Sequence, residues 1–277
     1  MNLAPLAFYI AAMGAYAWHF GRRDASVGLT ATTLLAAGVL THTFMIGMQT
    51  METGHVPFAG TTSAISTFVW LLAIAYLYTE IATSERAMGT FILPMLVALQ
   101  AIPALRPGLE ERTEIPNVLQ GPLFGLHVSS LLFAYASFAL ACVIGITYVL
   151  LFKEIKAKHL GFFYARLPSL QVLDSMNHRA IVVGWMFLTF GLLVGAVWTG
   201  QVRAYAAVEP RIENMSLADP KIFVALLCWA VYSFEVFAAR RIGWGGRRMA
   251  YLSAVGFAIV LLNFVPISYF LTESHNF

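Results

Sequence analysis

Residues Leu123–Phe152 have the sequence LFGLHVSSLLFAYASFALACVIGITYVLLF, which contains no Lys, Arg, Asp or Glu. An α-helix needs about 20 apolar residues to cross a bilayer, and this stretch exceeds that length. It is too long and too uniformly apolar for a strand of a membrane β-barrel, in which apolar and polar residues alternate. The stretch therefore predicts a transmembrane α-helix.

The rest of the chain follows the same pattern. Of its 277 residues, 59% are hydrophobic and 11% are charged, whereas about 25% are charged in soluble domains. Eight apolar stretches predict spans: Leu3–His19, Val27–Gln49, Thr61–Thr79, Ala87–Leu105, Leu123–Phe152, Ala180–Val202, Ile222–Ala239 and Met249–Leu271. The loops between them leave no room for a soluble domain. We expect an all-α, polytopic transmembrane helix bundle, with residues 1–277 forming a single integral membrane domain in the lipid bilayer.

The charge pattern predicts how the bundle is oriented. Loops rich in Lys and Arg stay in the cytoplasm, and twelve of the 17 Lys and Arg residues lie in the loops after spans one, three, five and seven. Those loops are predicted to be cytoplasmic, with both termini on the outer, periplasmic side of a bacterial-type cytoplasmic (inner) membrane. No loop concentrates these residues into a basic face, so no nucleic-acid partner is expected.

This orientation places His55, His127 and His275 on the outer face, and His42 about 10 Å deep in span two at 1.5 Å per residue. The three outer histidines either form a shared site or share a face by chance. Neutral imidazoles bind zinc, copper or haem iron. The absence of a second ligand at helical or hairpin spacing disfavours zinc. His42 is either a hydrogen-bonded core residue or an intramembrane haem ligand.

Glu235 is an ionisable residue inside predicted span seven, near its cytoplasmic end. Such residues are costly in a membrane and usually face a partner or a cavity. The alternative is that its side chain extends to the membrane surface, towards Arg240 or Arg241.

Five segments carry a resemblance to a known family. SLADPKIFVALLCWAVY (Ser216–Tyr232) contains Asp219-Pro220-Lys221, followed by Trp229 and Tyr232. The others are GHVPFAGTTSAISTFVW (Gly54–Trp70), LHVSSLLFAYASFAL (Leu126–Leu140), GLLVGAVW (Gly191–Trp198) and GWGGRRMAYLSAVGF (Gly243–Phe257) with the closing ESHNF. Taken in their order along the chain, these segments resemble the CcsA/HemX/CcmC superfamily of cytochrome c assembly, or haem-handling, proteins. The outer segment of that family ends in Trp-x-Trp-Asp-Pro-Lys-Glu.

The resemblance implies a haem-binding or haem-handling membrane protein that holds non-covalent, b-type haem at its outer face. It matches His127 and His275 to the two outer axial ligands, and it implies other cytochrome c assembly proteins or an apocytochrome c as partners. His55 lies in the family's Gly-His-x-Pro loop, where we expect either an outer-shell role beside the haem or a loop residue that holds its own turn. Residues Asp219, Trp198 and Trp229 fall in the haem-binding segments, and Asp219 can also cap the helix that Pro220 begins.

The chain departs from the family pattern within its tryptophan-rich motif, which is degenerate. Ser216 and Ala218 stand where the family has tryptophans, and Ile222 replaces the glutamate. Phe237 stands where full-length CcsA proteins carry a histidine within this span. The two axial histidines thus remain while the aromatic platform is reduced.

Two other functions remain open from the sequence. One is a non-enzymatic membrane scaffold, a subunit of a larger complex, for instance a respiratory one, that reuses the fold. The other is a quinol-oxidising b-type cytochrome, which needs a transmembrane haem and for which His42 is the candidate ligand.

Overall fold

The computed structural model describes residues 3–54, 56, 61–105, 121–158, 161–206 and 220–262. Within these ranges the chain is helical, and strands are absent from them. The described residues form eight α-helices: α1 (Leu3–Arg22), α2 (Ala25–Thr53), α3 (Thr61–Thr83), α4 (Gly89–Leu105), α5 (Pro122–Lys156), α6 (Leu170–Ala206), α7 (Pro220–Phe237) and α8 (Arg247–Leu262). A π-helical turn, Ala238–Ile242, follows α7.

These helices confirm the predicted polytopic bundle. Helices α1, α2, α3, α5, α6 and α7 are each long and apolar enough to cross a membrane, and α4 is a shorter apolar helix. Helix α8 is described to Leu262, so residues 263–271 of the eighth predicted span lie outside the described residues. The protein is a multi-pass membrane protein.

Local sequence explains where the helices begin and end. Asp24 caps α2, because its Oδ1 accepts a hydrogen bond from the Ser26 backbone N–H at 2.9 Å. The same carboxylate accepts from the Ser26 hydroxyl, and these bonds hold the pKa of Asp24 below its usual value. At the other end, Gly54 adopts the left-handed conformation (φ 75°) that glycine tolerates best. Helix α7 begins at Pro220, as predicted.

Helix α5 lies at the centre of the bundle. It packs most extensively against α6 and also contacts α8 and α3, while α1 packs against α2 and α4. Of the most apolar window of α5, 67% is buried, against 33% for α1, α6 and α7. Residues on α5 therefore face protein on most sides, which fixes the positions of the polar side chains that it carries.

Candidate functional site

His127 lies in the first two turns of α5, half-buried against α6. Its Nδ1 is 2.7 Å from the carbonyl oxygen of Gly191 on α6. A carbonyl oxygen only accepts hydrogen bonds, so Nδ1 carries the proton and donates it. In the neutral ring the lone pair then lies on Nε2, and Nε2 is the nitrogen able to bind a metal.

Small residues on α6 allow the imidazole to approach this closely. A Cβ atom at Gly195 would lie 2.5 Å from Cε1 of His127, well inside van der Waals contact, so a glycine is required there. Trp198, one turn further along α6, lies nearly parallel to the imidazole, with ring centroids 6.3 Å apart and planes 18° apart. The Phe124 ring also packs against this buried tryptophan, with ring centroids 5.2 Å apart.

This arrangement fits the chemistry of an axial haem ligand. Metal-binding histidines typically donate their second N–H to a carbonyl or carboxylate, which fixes the ring orientation and makes the ligating nitrogen more basic. Gly191 supplies that carbonyl, and Gly195 and Trp198 fix the plane of the ring. Of the outer histidines, His127 is the one that the structure describes. His55, His275 and Asp219 lie outside the described residues.

Trp229 of α7 contacts a different side of α6. Its Nε1 donates a hydrogen bond to Oγ1 of Thr189 at 2.9 Å. Thr189 precedes Gly191 by two residues, which is roughly 200° around a helix of 3.6 residues per turn. The structure therefore brings Trp198, but not Trp229, against His127.

His42 is fully buried and takes part in a polar cluster within the bundle. Its Nδ1 is 3.0 Å from the Tyr9 hydroxyl, and its Nε2 is 2.9 Å from Oγ of Ser66. Gln100 of α4 extends the cluster, 3.5 Å from Ser66. Both ring nitrogens of His42 thus have hydrogen-bond partners, as in the core-residue alternative.

Glu80 is a buried carboxylate that the sequence interpretation missed, because span three was predicted to end at Thr79. Helix α3 continues to Thr83, and Glu80 is 2% exposed. Its Oε2 accepts from the Tyr16 hydroxyl at 2.6 Å, and its Oε1 accepts from the Thr32 hydroxyl at 2.5 Å. Nε of Arg86 lies 3.7 Å from Oε1. An acidic residue directly after a predicted span end, with an Arg six residues later, is the signal that could have identified it.

Glu235 does not extend to the membrane surface, so the predicted approach to Arg240 or Arg241 is wrong. The side chain is fully buried, and its Oε1 lies 2.9 Å from Oγ of Ser253 on α8. Its Oε2 has no hydrogen-bond partner within the described part of the chain. The carboxyl group therefore lies in the protein interior between α6, α7 and α8, and not at the membrane surface.

Within the described ranges, no group of three or more His, Cys, Asp or Glu side chains could hold a metal ion.

Comparison with known proteins decides the family. The profile of the family described as Cytochrome C assembly protein matches residues 58–275, which is most of the chain.

The chain belongs to the cytochrome c assembly protein family. It is 25% identical over 263 residues to the cytochrome c biogenesis protein CcsA of Guillardia theta, with 89% of this chain and 84% of that protein covered. The CcsA protein of Chlorella vulgaris is 24% identical, covering 90% and 85%. That of Prochlorococcus marinus (strain MIT 9303) is 23% identical, covering 97% and 89%.

Family membership confirms the resemblance in the sequence. The matched region includes α3 to α8, and therefore both His127 and the Gly191–Trp198 segment that packs against it. The protein is a cytochrome c assembly membrane protein. The curated relatives span both algal and cyanobacterial sources.

Proposed function

We propose that this member of the cytochrome c assembly family holds non-covalent, b-type haem at its outer face, with His127 and His275 as axial ligands. The observation that carries the proposal is the hydrogen bond from Nδ1 of His127 to the Gly191 carbonyl. It leaves the lone pair of the neutral ring on Nε2, as a haem ligand requires.

The chain itself would bind and orient the haem. His127 supplies one axial nitrogen from α5, and Trp198 offers an aromatic face beside it. His275 would supply the second iron ligand, since two imidazoles complete the coordination of a haem iron. Asp219, the residue before Pro220 in the sequence, would belong to the haem-binding segment, as the family resemblance implies. When bound, the haem iron would supply the redox chemistry of a bis-imidazole site.

His55 has a supporting part in this proposal. With the axial positions filled by His127 and His275, it would hydrogen-bond a haem propionate or orient one of the ligands, as outer-shell residues do at metal sites. The protein would act in a bacterial-type cytoplasmic membrane, and its partners would be an apocytochrome c and other assembly proteins.

Two alternatives are separable from this proposal. The absence of tryptophans at Ser216 and Ala218 favours a membrane scaffold subunit without haem. The b-type cytochrome alternative would need His42 as an intramembrane ligand, although its ring nitrogens bond to Tyr9 and Ser66. We therefore do not propose it.

The test is an absorbance spectrum of the detergent-purified protein from haem-supplemented cells, with and without dithionite. We expect a Soret band and reduced b-type bands. His127→Ala and His275→Ala should each lose most of the haem, and His55→Ala should weaken retention by about 10- to 100-fold without changing the coordination. His159→Ala, on the predicted cytoplasmic side, is the control.

Imidazole rescue distinguishes loss of a ligand from loss of the fold. His127→Gly should regain the Soret band when imidazole is added, whereas His159→Gly should not respond to it. A wild-type protein without haem would favour the scaffold. Equal haem retention in the His127, His275 and His159 variants would exclude the outer pair.

A further inference from the structure

A cavity of about 400 Å³ opens at the end of the bundle formed by the start of α6, the π-helical turn and α8. Asp174, Ser175 and His178 line it from α6, Ala239 and Trp244 from the α7–α8 connection, and Met249 from α8. The charge pattern predicts that this end faces the cytoplasm. None of these residues takes part in the proposed haem site.

A buried polar cluster lies one helical turn deeper than this cavity. Glu235 is four residues before Ala239, Ser253 is four residues after Met249, and Asn177 is next to His178. One turn of an α-helix is about 5.4 Å along its axis. The three side chains are 0 to 3% exposed, and the cavity is lined by residues within one helical turn of each of them.

Hydrogen-bond counting shows that this cluster has more acceptors than protons. Oγ of Ser253 lies 2.9 Å from Glu235 Oε1, 3.0 Å from Asn177 Oδ1 and 2.9 Å from the Met249 carbonyl. Asn177 cannot be turned round, because its Nδ2 donates to the Ala141 carbonyl at 3.0 Å. One hydroxyl has one proton. An ionised Glu235 would therefore leave acceptor oxygens facing each other in the bundle interior.

The cluster is balanced if Glu235 carries a proton in addition to the proton of the Ser253 hydroxyl. A neutral carboxyl donates to Oγ of Ser253, and the Ser253 hydroxyl then donates to Asn177. The other oxygen of Glu235, Oε2, and the Tyr232 hydroxyl are the two buried side-chain polar atoms without a partner among the described residues. The Tyr232 hydroxyl therefore donates no hydrogen bond to Glu235, and an unpaired buried charge is very costly.

Glu80 shows the opposite arrangement in the same protein. Both of its oxygens accept hydrogen bonds, from Tyr16 and Thr32, and Arg86 lies nearby. Donors and a positive charge stabilise an ionised carboxylate. Among the described residues, two glutamates are thus buried, one next to donors and the other next to acceptors.

We propose that Glu235 is a reversible proton-binding site that exchanges its proton with water in the cavity between α6, the π-helical turn and α8. On release, the carboxyl O–H bond breaks, the proton passes to a water molecule, and a carboxylate remains. The Ser253 hydroxyl can then donate to that carboxylate, and Asn177 Oδ1 loses its donor. Proton binding is thereby coupled to the contact of α7 with α6 and α8.

Among the described residues, Glu235 forms no ion pair with a basic side chain, and Arg240 of the π-helical turn lies near His178. Tyr232 and Cys228 lie on α7, and Cys142 faces them from α5. His178 and Asp174 of α6 line the cavity one turn away. On α8, Arg247 and Arg248 lie over the rings of Phe152 and Trp244.

The test is infrared spectroscopy of the purified protein in H2O and D2O. We expect a carbonyl band of a protonated carboxylic acid that shifts in D2O and disappears in Glu235→Gln, which keeps the size and shape of the side chain. Glu80→Gln is the matched control and should keep the band. A band that survives in Glu235→Gln, or that is lost in Glu80→Gln, would overturn the assignment.

Two further measurements cover the other parts of the proposal. A hydrophobic carbodiimide reacts with protonated carboxyl groups, so peptide mass spectrometry of the labelled wild-type protein should find Glu235 modified and Glu80 unmodified. This needs no variant to fold. Ser175→Phe, which fills the cavity, should slow hydrogen–deuterium exchange of the Glu235 band several-fold. An unchanged exchange rate would show that the proton does not pass through this cavity.

Discussion

The contact between His127 and Gly195 can be tested by adding one methyl group. In Gly195→Ala the new Cβ would lie 2.5 Å from Cε1 and 2.6 Å from Nδ1 of His127. Carbon atoms in contact are normally about 3.5–4.0 Å apart, so the imidazole or the helix has to move by about 1 Å. The hydrogen bond from Nδ1 to the Gly191 carbonyl, now 2.7 Å, would then exceed the usual limit of about 3.2 Å.

Three contributions set the expected size of the effect. Overpacking costs about 1–3 kcal/mol, and the lost hydrogen bond costs about 0.5–1.5 kcal/mol. Replacing Gly by Ala within a helix returns about 1 kcal/mol. We expect a free energy of unfolding lower by about 1–3 kcal/mol. We also expect haem affinity to fall by about 10- to 100-fold, because an outer-shell partner of the ligand is lost.

The assay is haem titration followed at the Soret band, together with thermal unfolding in detergent. Gly200→Ala is the control, since it lies on the same helix and a Cβ there would meet no atom within 4 Å. It should bind haem as the wild type does. Equal haem affinity in the Gly195 and Gly200 variants would refute the idea that the close approach of α6 positions His127.

Two other predictions test the orientation and the Glu80 cluster. A reporter fused after Phe277 should lie on the outer face and one inserted near Lys156 in the cytoplasm; a cytoplasmic C-terminus would reverse the side assigned to the haem site. Tyr16→Phe should lower the free energy of unfolding by about 1.5–3 kcal/mol, because it removes the hydrogen bond to the Glu80 carboxylate. The control is Tyr78→Phe, on the exposed face of α3, which should have little effect. Equal melting temperatures of the two variants would contradict this account of Glu80.

The fold could be predicted from hydropathy because each span must be apolar to cross the bilayer, and the helices confirm this. The ends of the helices were predicted less accurately, because helices continue beyond the apolar stretches from which the spans were predicted. Helix α6 was predicted to begin at Ala180 but begins at Leu170. Its extra turns are polar, and Asp174 is held there because its Oδ1 accepts from the Gly246 N–H at 2.6 Å. Such a contact, 72 residues away in sequence, leaves no local pattern.

The sequence predicts the residues of the candidate site, and the structure adds the geometry of those that it describes. Resemblance to a family identified His127 and the Gly191–Trp198 segment, because these residues keep the family's order along the chain. The tautomer of His127 could not be predicted, since it depends on a carbonyl from another helix. The neighbouring sequence also does not explain why residue 195 is a glycine, because a larger residue there is excluded by the His127 imidazole, which lies on another helix.

The two buried glutamates show what a single sequence leaves undetermined. Glu80 and Glu235 each lie near one end of a helix that can span the membrane, beside apolar neighbours, so hydropathy treats them alike. Their opposite surroundings come from other helices: hydroxyls of α1 and α2 donate to Glu80. Oγ of Ser253 on α8, next to Glu235, is also close to the acceptor oxygen of Asn177 on α6. The donors around Glu80 and the acceptors around Glu235 therefore both follow from tertiary packing between helices, which the hydropathy of a single span does not record.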